Sequence, residues 1–325
     1  MEIGFIWEIE RRSSLSEDET EALYFVAWNV ASLYDGPSSS AELVSQAIMG
    51  DKVTAGEAKD GFRYVTTEDR YAGWVSEASL VPEWDRTEHL QTGIATLFAD
   101  VFSMPDPQSE LLTKLPVSTR VSIAHRPEID AFVPVVLADQ SIGYVHGVCL
   151  NITHSADAER PRPDLLDPNT RRALNVGELK RQVLRAVGQQ AAATAKRFIG
   201  TPYLWGGCTP FGIDCSGFVQ LAYKLSGVQL LRDANLQYAD RRFRRVDEGL
   251  GLDDVNWEPG DLIVFSSRED SRPTHIGLAL GDGRFIHALG QRGVCIHPCD
   301  TPRFQNTFVG AVRISEDADL AVEAG

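Results

Sequence analysis

The chain has 325 residues, with 46 acidic against 31 basic side chains for a formal net charge of −15, and 43% of it is hydrophobic. That balance excludes nucleic acid or another anionic polymer as the main partner, and no run approaches the eighteen or so apolar residues needed to cross a membrane. Five cysteines without framework spacing fit a reducing compartment, and Met1-Glu2-Ile3-Gly4-Phe5-Ile6-Trp7 lacks the basic-then-apolar order of a secretory leader, so a cytoplasmic protein is expected.

Residues 1–26 form an N-terminal segment in which Ser16-Glu17-Asp18-Glu19 offers a cap for a short helix running toward Ala22 and Phe25. Two similar stretches follow, over 27–84 and 90–154. Pro37 and Pro105, Glu42-Leu43-Val44 and Glu110-Leu111-Leu112, and Val53 and Val121 recur at an offset of 68; Gly73-Trp74-Val75 and Gly143-Tyr144-Val145 recur at 70. A period this long suits a duplicated small β-domain rather than a solenoid unit. Alternation such as Phe62-Arg63-Tyr64-Val65 supports strands.

Residues 155–175, with Pro161, Pro163 and Pro168 among charged and polar neighbours, read as a linker. Leu179, Val183, Leu184, Val187, Ala191, Ala195 and Phe198 then recur at helical spacing until Gly200 and Pro202 stop the helix. A third domain is expected over 176–318. Helices and strands together make the chain α+β: one mixed C-terminal domain behind two small β-barrels.

The chemistry concentrates in Gly207-Cys208-Thr209-Pro210-Phe211-Gly212-Ile213-Asp214-Cys215-Ser216-Gly217-Phe218. A glycine-rich loop gives way at Cys215 to an apolar helical pattern. A thiol in the first turn of a helix meets unpaired N–H groups and the positive end of the dipole, which favours thiolate. A cysteine so placed is a nucleophile if a base stands beside it.

The base comes from a predicted hairpin. His275-Ile276-Gly277-Leu278-Ala279-Leu280 and Arg284-Phe285-Ile286-His287-Ala288 flank the turn Gly281-Asp282-Gly283. With Asp282 at the centre of a three-residue loop, Gly277 faces His287, and His275 shares their face. A two-residue loop would put the imidazoles on opposite faces. In the first register Cys215 is nucleophile, His275 its base and His287 the group that orients His275. Cys208, Cys295, His297 and Cys299 contain no Cys-x-x-Cys and do not match a structural zinc pattern, so neither metal nor cofactor is expected.

At these residues the chain resembles the NlpC-type papain-like cysteine peptidases of bacterial cell-wall metabolism. Gly200-Thr201-Pro202-Tyr203-Leu204-Trp205-Gly206-Gly207, Asp214-Cys215-Ser216-Gly217-Phe218, Pro259-Gly260-Asp261-Leu262 and the His275/His287 hairpin occur in family order, over about residues 185–315. The resemblance implies a papain-like fold and hydrolysis of the γ-D-glutamyl bond to a diamino acid, lysine or diaminopimelate, in peptidoglycan stem peptides. It also places Tyr203, Asp214 and Ser216 around the nucleophile as binding or oxyanion-supporting residues, with Trp205 a candidate floor of the cleft. The 68-residue repeats resemble bacterial SH3-type barrels. A barrel that blocks one end of the cleft would restrict the enzyme to short peptides with a free N-terminal L-Ala, as in muropeptide recycling. Asp35 and Tyr71 of the first barrel are the candidates to hold that ammonium; a turn-capping role competes for Asp35. Two other functions compete: an idle wall-peptide binding module, and a papain-like amidase or acyltransferase.

Overall fold

The computed structural model describes residues 22–86, 89–124, 131–151, 176–253, 257–267 and 271–315. The proposed linker, and the proposed N-terminal helix up to residue 21, lie outside these residues.

The first sheet comprises β1 (Ala22–Val26), β2 (Val30–Tyr34), β3 (Leu43–Ile48), β4 (Lys52–Lys59), β5 (Phe62–Thr67), β6 (Ala72–Ser76) and β7 (Leu80–Pro82), in the order β3-β2-β6-β5-β4-β1-β7. Ala22–Val26 therefore belongs to the barrel and not to a preceding helix. Its aromatic and branched residues pair antiparallel with β4, and Phe25 and Val26 are buried, so sheet burial wins over the weak helical spacing of Ala22 and Phe25.

The second sheet comprises β8 (Leu90–Gly93), β9 (Phe98–Phe102), β10 (Leu111–Pro116), β11 (Arg120–Ile123), β12 (Phe132–Val136) and β13 (Ile142–His146), in the order β10-β9-β13-β12-β11-β8. Its pairing reproduces that of the first: β8 lies on β11 as β1 lies on β4, and β9 on β10 as β2 on β3. Alternation fills both cores. Ala31 and Leu33 point inward from β2, and Ala99 and Val101 do so from the equivalent places in β9.

The C-terminal domain opens with helix α1 (Val176–Ala195). A short ribbon, β14 (Cys208–Thr209) with β15 (Gly212–Ile213), leads into α2 (Cys215–Lys224), followed by α3 (Ala234–Tyr238) and α4 (Pro302–Gln305). The sheet holds β16 (Phe243–Arg245), β17 (Leu262–Phe265), β18 (His275–Ala279), β19 (Arg284–Leu289), β20 (Gly293–Pro298) and β21 (Phe308–Ile314), in the order β16-β21-β17-β18-β19-β20. Even-numbered Ile276, Leu278, Ile286 and Ala288 join the cluster that includes Phe198, Phe218 and Ala222 of the helical layer. Odd-numbered Ile263, Phe265 and Phe285 join Phe304 and Ala311 in a second cluster on the other face. Every residue of β17 is accordingly buried.

Both barrels lean on this domain. Phe98 packs against Phe211 with ring centroids 4.7 Å apart and the planes tilted by 55°, and Arg197 Nη2 donates to the Ala95 carbonyl at 2.6 Å. The first barrel meets the loop ahead of Cys215. Gln46 Oε1 accepts from Cys208 N at 3.0 Å, and Gln220 Nε2 donates to Asp69 Oδ2 at 2.7 Å. Gly206 has φ +74°, and a Cβ there would stand 2.4 Å from the Leu43 carbonyl oxygen. Only glycine permits both that conformation and that approach.

Candidate active site

Cys215 is the first residue of α2, and Asp214 is its N-cap. Asp214 Oδ1 accepts from Gly217 N at 2.7 Å, and Oδ2 from Gly206 N at 3.0 Å. The fully buried Arg232 closes the arrangement with a two-pronged bond to the same carboxylate, at 3.1 and 2.5 Å. Arg232 Nη1 also donates to Ser216 Oγ at 2.8 Å, and Nε reaches Ser45 Oγ of the first barrel at 3.3 Å. Asp214 and Ser216, expected around the nucleophile, are buried in this network with Arg232, and their polar atoms hold the start of the helix in place.

The Cys215 thiol lies against β18, with hydrogen bonds from the backbones of Ile276 and Ser216. The expected acidic thiol is not what its surroundings produce. Burial comes first and the Asp214 charge second, and together they push the group up to about 12 in spite of those bonds. Burial likewise draws His275 down to about 4, with the Arg303 charge adding to it. Burial thus works against the charged form of both groups, thiolate and imidazolium alike.

The hairpin has the three-residue-loop register. Leu278 faces Ile286 and Ala279 faces Phe285, which sets Gly277 against His287. His275 Nε2 lies 2.6 Å from His287 Nδ1. The chain of rings then continues, because His287 Nε2 lies 2.8 Å from Nδ1 of His297 on β20. A neutral imidazole donates from one nitrogen and accepts at the other. For His275 to take a proton at Nδ1 it must carry hydrogen on Nε2. His287 then accepts at Nδ1 and donates from Nε2, and His297 accepts at Nδ1. One choice of tautomer fixes all three. Phe285, Phe304 and Phe265 hold the rings: Phe304 lies 5.1 Å from both His287 and His297, and Phe265 5.8 Å from His275.

On sequence grounds His297 enters only among the metal-ligand candidates. Its position was legible in a second hairpin, since Gly290-Gln291-Arg292-Gly293 turns β19 into β20. Facing His287 with Cys295 makes His297 the diagonal neighbour of His287. Cys208 and Cys299 stand apart from it: Cys208 Sγ contacts Ser45 Oγ and the Gly206 carbonyl, and Cys299 belongs to the second apolar cluster. Among the described residues, His287, Cys295 and His297 bring donor atoms within 4.8 Å of one another, as a soft cation would require. Two of those atoms already face each other as a hydrogen-bonded pair.

The other candidates divide. Tyr203 is half-buried beside the nucleophile, bridged to Ile213, and its phenol is raised by burial and by the Cys215 and Asp214 charges. Trp205 is exposed on the rim, where its indole N–H donates to Glu42 Oε1 of the first barrel at 2.8 Å. Tyr71 stands at the domain junction, bonded to the Asp233 side chain and within the field of Arg232 and Asp214; burial raises both its phenol and the Asp233 carboxyl. Asp35 is exposed and caps its own loop, accepting from Glu42 N at 3.0 Å. The acid of that loop that touches the peptidase domain is Glu42. Sequence reasoning passed it over in favour of Asp35, seven positions earlier in the same loop.

A cysteine opening a helix that packs on a sheet carrying paired histidines is the arrangement of a papain-like cysteine peptidase. Comparison with known proteins gives the lineage. Residues 200–313 match the model of the NlpC/P60 family, and residues 33–80 match that of the bacterial dipeptidyl-peptidase SH3 domain. A dipeptidyl-peptidase 6 of Lysinibacillus sphaericus is 30% identical over 83% of this chain and 89% of its own length. A γ-D-glutamyl-L-lysine dipeptidyl-peptidase of Bacillus cereus is 25% identical over 84% of this chain and 75% of its own. The crystal structure of an NlpC/P60 family protein from Bacillus cereus superposes with a TM-score of 0.70 at 22% identity, covering 90% of this chain and 99% of that one, and so shares the three-domain fold. The chain belongs to the NlpC/P60 family of peptidases.

Proposed function

We propose that this peptidase cleaves the bond between D-glutamate and the diamino acid in short peptidoglycan-derived peptides of the type L-Ala-γ-D-Glu-diamino acid. The observation that supports the reading is Cys215 at the start of α2, held against the backbone of Ile276, which follows His275 in the chain, with the His275 ring 2.6 Å from His287. The name of the Bacillus cereus relative, a γ-D-glutamyl-L-lysine dipeptidyl-peptidase, points to the same bond class.

In the reaction, His275 Nδ1 removes the Sγ proton and the thiolate attacks the γ-carbonyl carbon. The Tyr203 hydroxyl is placed to support the oxyanion. As the C–N bond breaks, His275 returns the proton to the leaving α-amine. Water, deprotonated by the same imidazole, then hydrolyses the thioester and frees the dipeptide and the thiol.

The first barrel gives the cleft its end wall through the Glu42–Trp205 contact. Such a wall fits a free-amine dipeptide and excludes a long glycan-linked strand. Tyr71 with Asp233 supplies an acid and a phenol for the ammonium of L-Ala, taking the place first considered for Asp35. A cytoplasmic role in muropeptide recycling is supported by the five cysteines, all of which are free thiols. The test is mass spectrometry of products from L-Ala-γ-D-Glu-diamino acid peptides. Release of L-Ala-D-Glu, abolished in Cys215→Ala while peptide binding persists, is expected. Turnover by Cys215→Ala would refute the thiol mechanism.

A further inference from the structure

A crevice of about 220 Å³ opens beside His275. Its walls are the apolar Phe265, Leu289 and Phe304, its hydroxyls include Thr274 and Thr307, and its one cation among the described lining residues is Arg303. His275 belongs to the same lining and hands its proton to the departing amine, so the residue that carries this amine lies next to the crevice. Arg303 is exposed, on the short helix α4, and its guanidinium stands close enough for its charge to be felt at His275, His287 and His297.

We propose that this crevice is the leaving-group subsite and that Arg303 in it binds a carboxylate carried by the leaving diamino acid. The assignment rests on the function proposed above and deepens it. Apolar walls suit the methylene chain of a diamino acid, and a guanidinium at the end suits a carboxylate in a two-pronged pair. Lysine brings only an ammonium to that cation, whereas diaminopimelate brings a carboxylate as well. The side chain therefore selects diaminopimelate over lysine, in contrast to the lysine peptide named for the Bacillus cereus relative. The carboxylate has two sources: the side chain of diaminopimelate, or the α-carboxylate of a leaving residue that ends the peptide.

The experiment measures kcat/KM of the full-length enzyme on four free-amine peptides. Tripeptides end at lysine or at diaminopimelate; tetrapeptides carry a further D-Ala that removes the α-carboxylate. A charge-assisted bond of this kind is worth roughly ten-fold or more. The diaminopimelate tetrapeptide is expected to exceed the lysine tetrapeptide by at least that factor, and Arg303→Gln to collapse the ratio. Because a ratio is read, partial misfolding of the variant cancels. A preference for tripeptides over tetrapeptides that Arg303→Gln abolishes would also support a carboxylate at Arg303 and would assign it to the chain end. Ratios unchanged by Arg303→Gln, with all peptides still cleaved, would overturn the assignment and leave the proposed function standing. Wild-type enzyme that cleaves none of the four would overturn both.

Discussion

His287 Nε2 and His297 Nδ1 lie 2.8 Å apart, and this contact extends the imidazole chain that begins at His275. His297 does not reach the nucleophile. It is expected to act as a positioning residue: by accepting from His287 Nε2 it would leave His287 Nδ1 to accept from His275, and His275 Nδ1 free to act as base.

The contact predicts an asymmetry between two substitutions. His297→Ala removes the acceptor and should lower kcat about ten-fold with KM nearly unchanged, the cost of one well-placed hydrogen bond. His297→Asn offers an oxygen near the position of Nδ1 and should recover most of that loss. Imidazole nitrogen chemical shifts of His275 should move with the alanine variant and return with asparagine. Equal kinetics for both variants would confine His297 to packing.

A second prediction concerns the pH dependence of the rate. The base must be neutral, and burial draws His275 down to about 4, so the acid limb of kcat/KM should fall near that value and not near 6.5. Cys215 is pushed up to about 12, so its alkylation rate in the free enzyme should keep rising through pH 9 without a neutral plateau. A thiolate plateau at pH 6–7 would mean a resting ion pair.

The same shifts bear on stability. His275 and His287 are drawn down to about 4 and about 2 from an unfolded value of 6.5, so the unfolded chain binds more protons below pH 6.5. The stability they contribute is complete above 6.5 and is lost as pH falls toward those folded-state values. Between pH 7.5 and 4.5 each buried ring should cost about 2 kcal/mol in urea unfolding. His287→Gln should reduce that pH dependence by about the contribution of one ring.

Amine recognition separates the two acids of the first-barrel loop from the junction pair. Asp35→Ala loosens a loop and should weaken hydrolysis of free and N-acetylated peptides alike. Tyr71→Phe and Asp233→Asn should reduce kcat/KM for free-amine peptides and narrow the gap to acetylated ones. A loss specific to the free amine in Asp35→Ala alone would move the ammonium site to that residue.

Loss of Arg232 should be costly to stability. Removing it leaves the Asp214 carboxylate buried beside the first turn of α2 with its strongest partner gone, and Ser45 loses its bond as well. Arg232→Ala should destabilise the fold by about 3–5 kcal/mol, measured by denaturant unfolding. The loss should also relax the seat of the first barrel, since Arg232 joins it to the helix start.

The sequence by itself determined the local elements. Helical spacing after Cys215 placed the thiol at a helix start, the Gly281-Asp282-Gly283 turn marked a hairpin with two open registers, one of which puts His275 and His287 on one face, and the 68-residue repeat exposed the duplicated barrel. Period and turn chemistry are properties of neighbouring residues, so they can be read along the chain. The tertiary structure decided what depends on separation in space: the hairpin register, that burial works against the Cys215 thiolate, that Asp214 and Ser216 pair with Arg232, that Glu42 and Tyr71 reach the peptidase domain while Asp35 caps its own loop, and that His297 stands against His287. Burial and charge pairing arise only when distant segments pack, and no spacing in the chain records them.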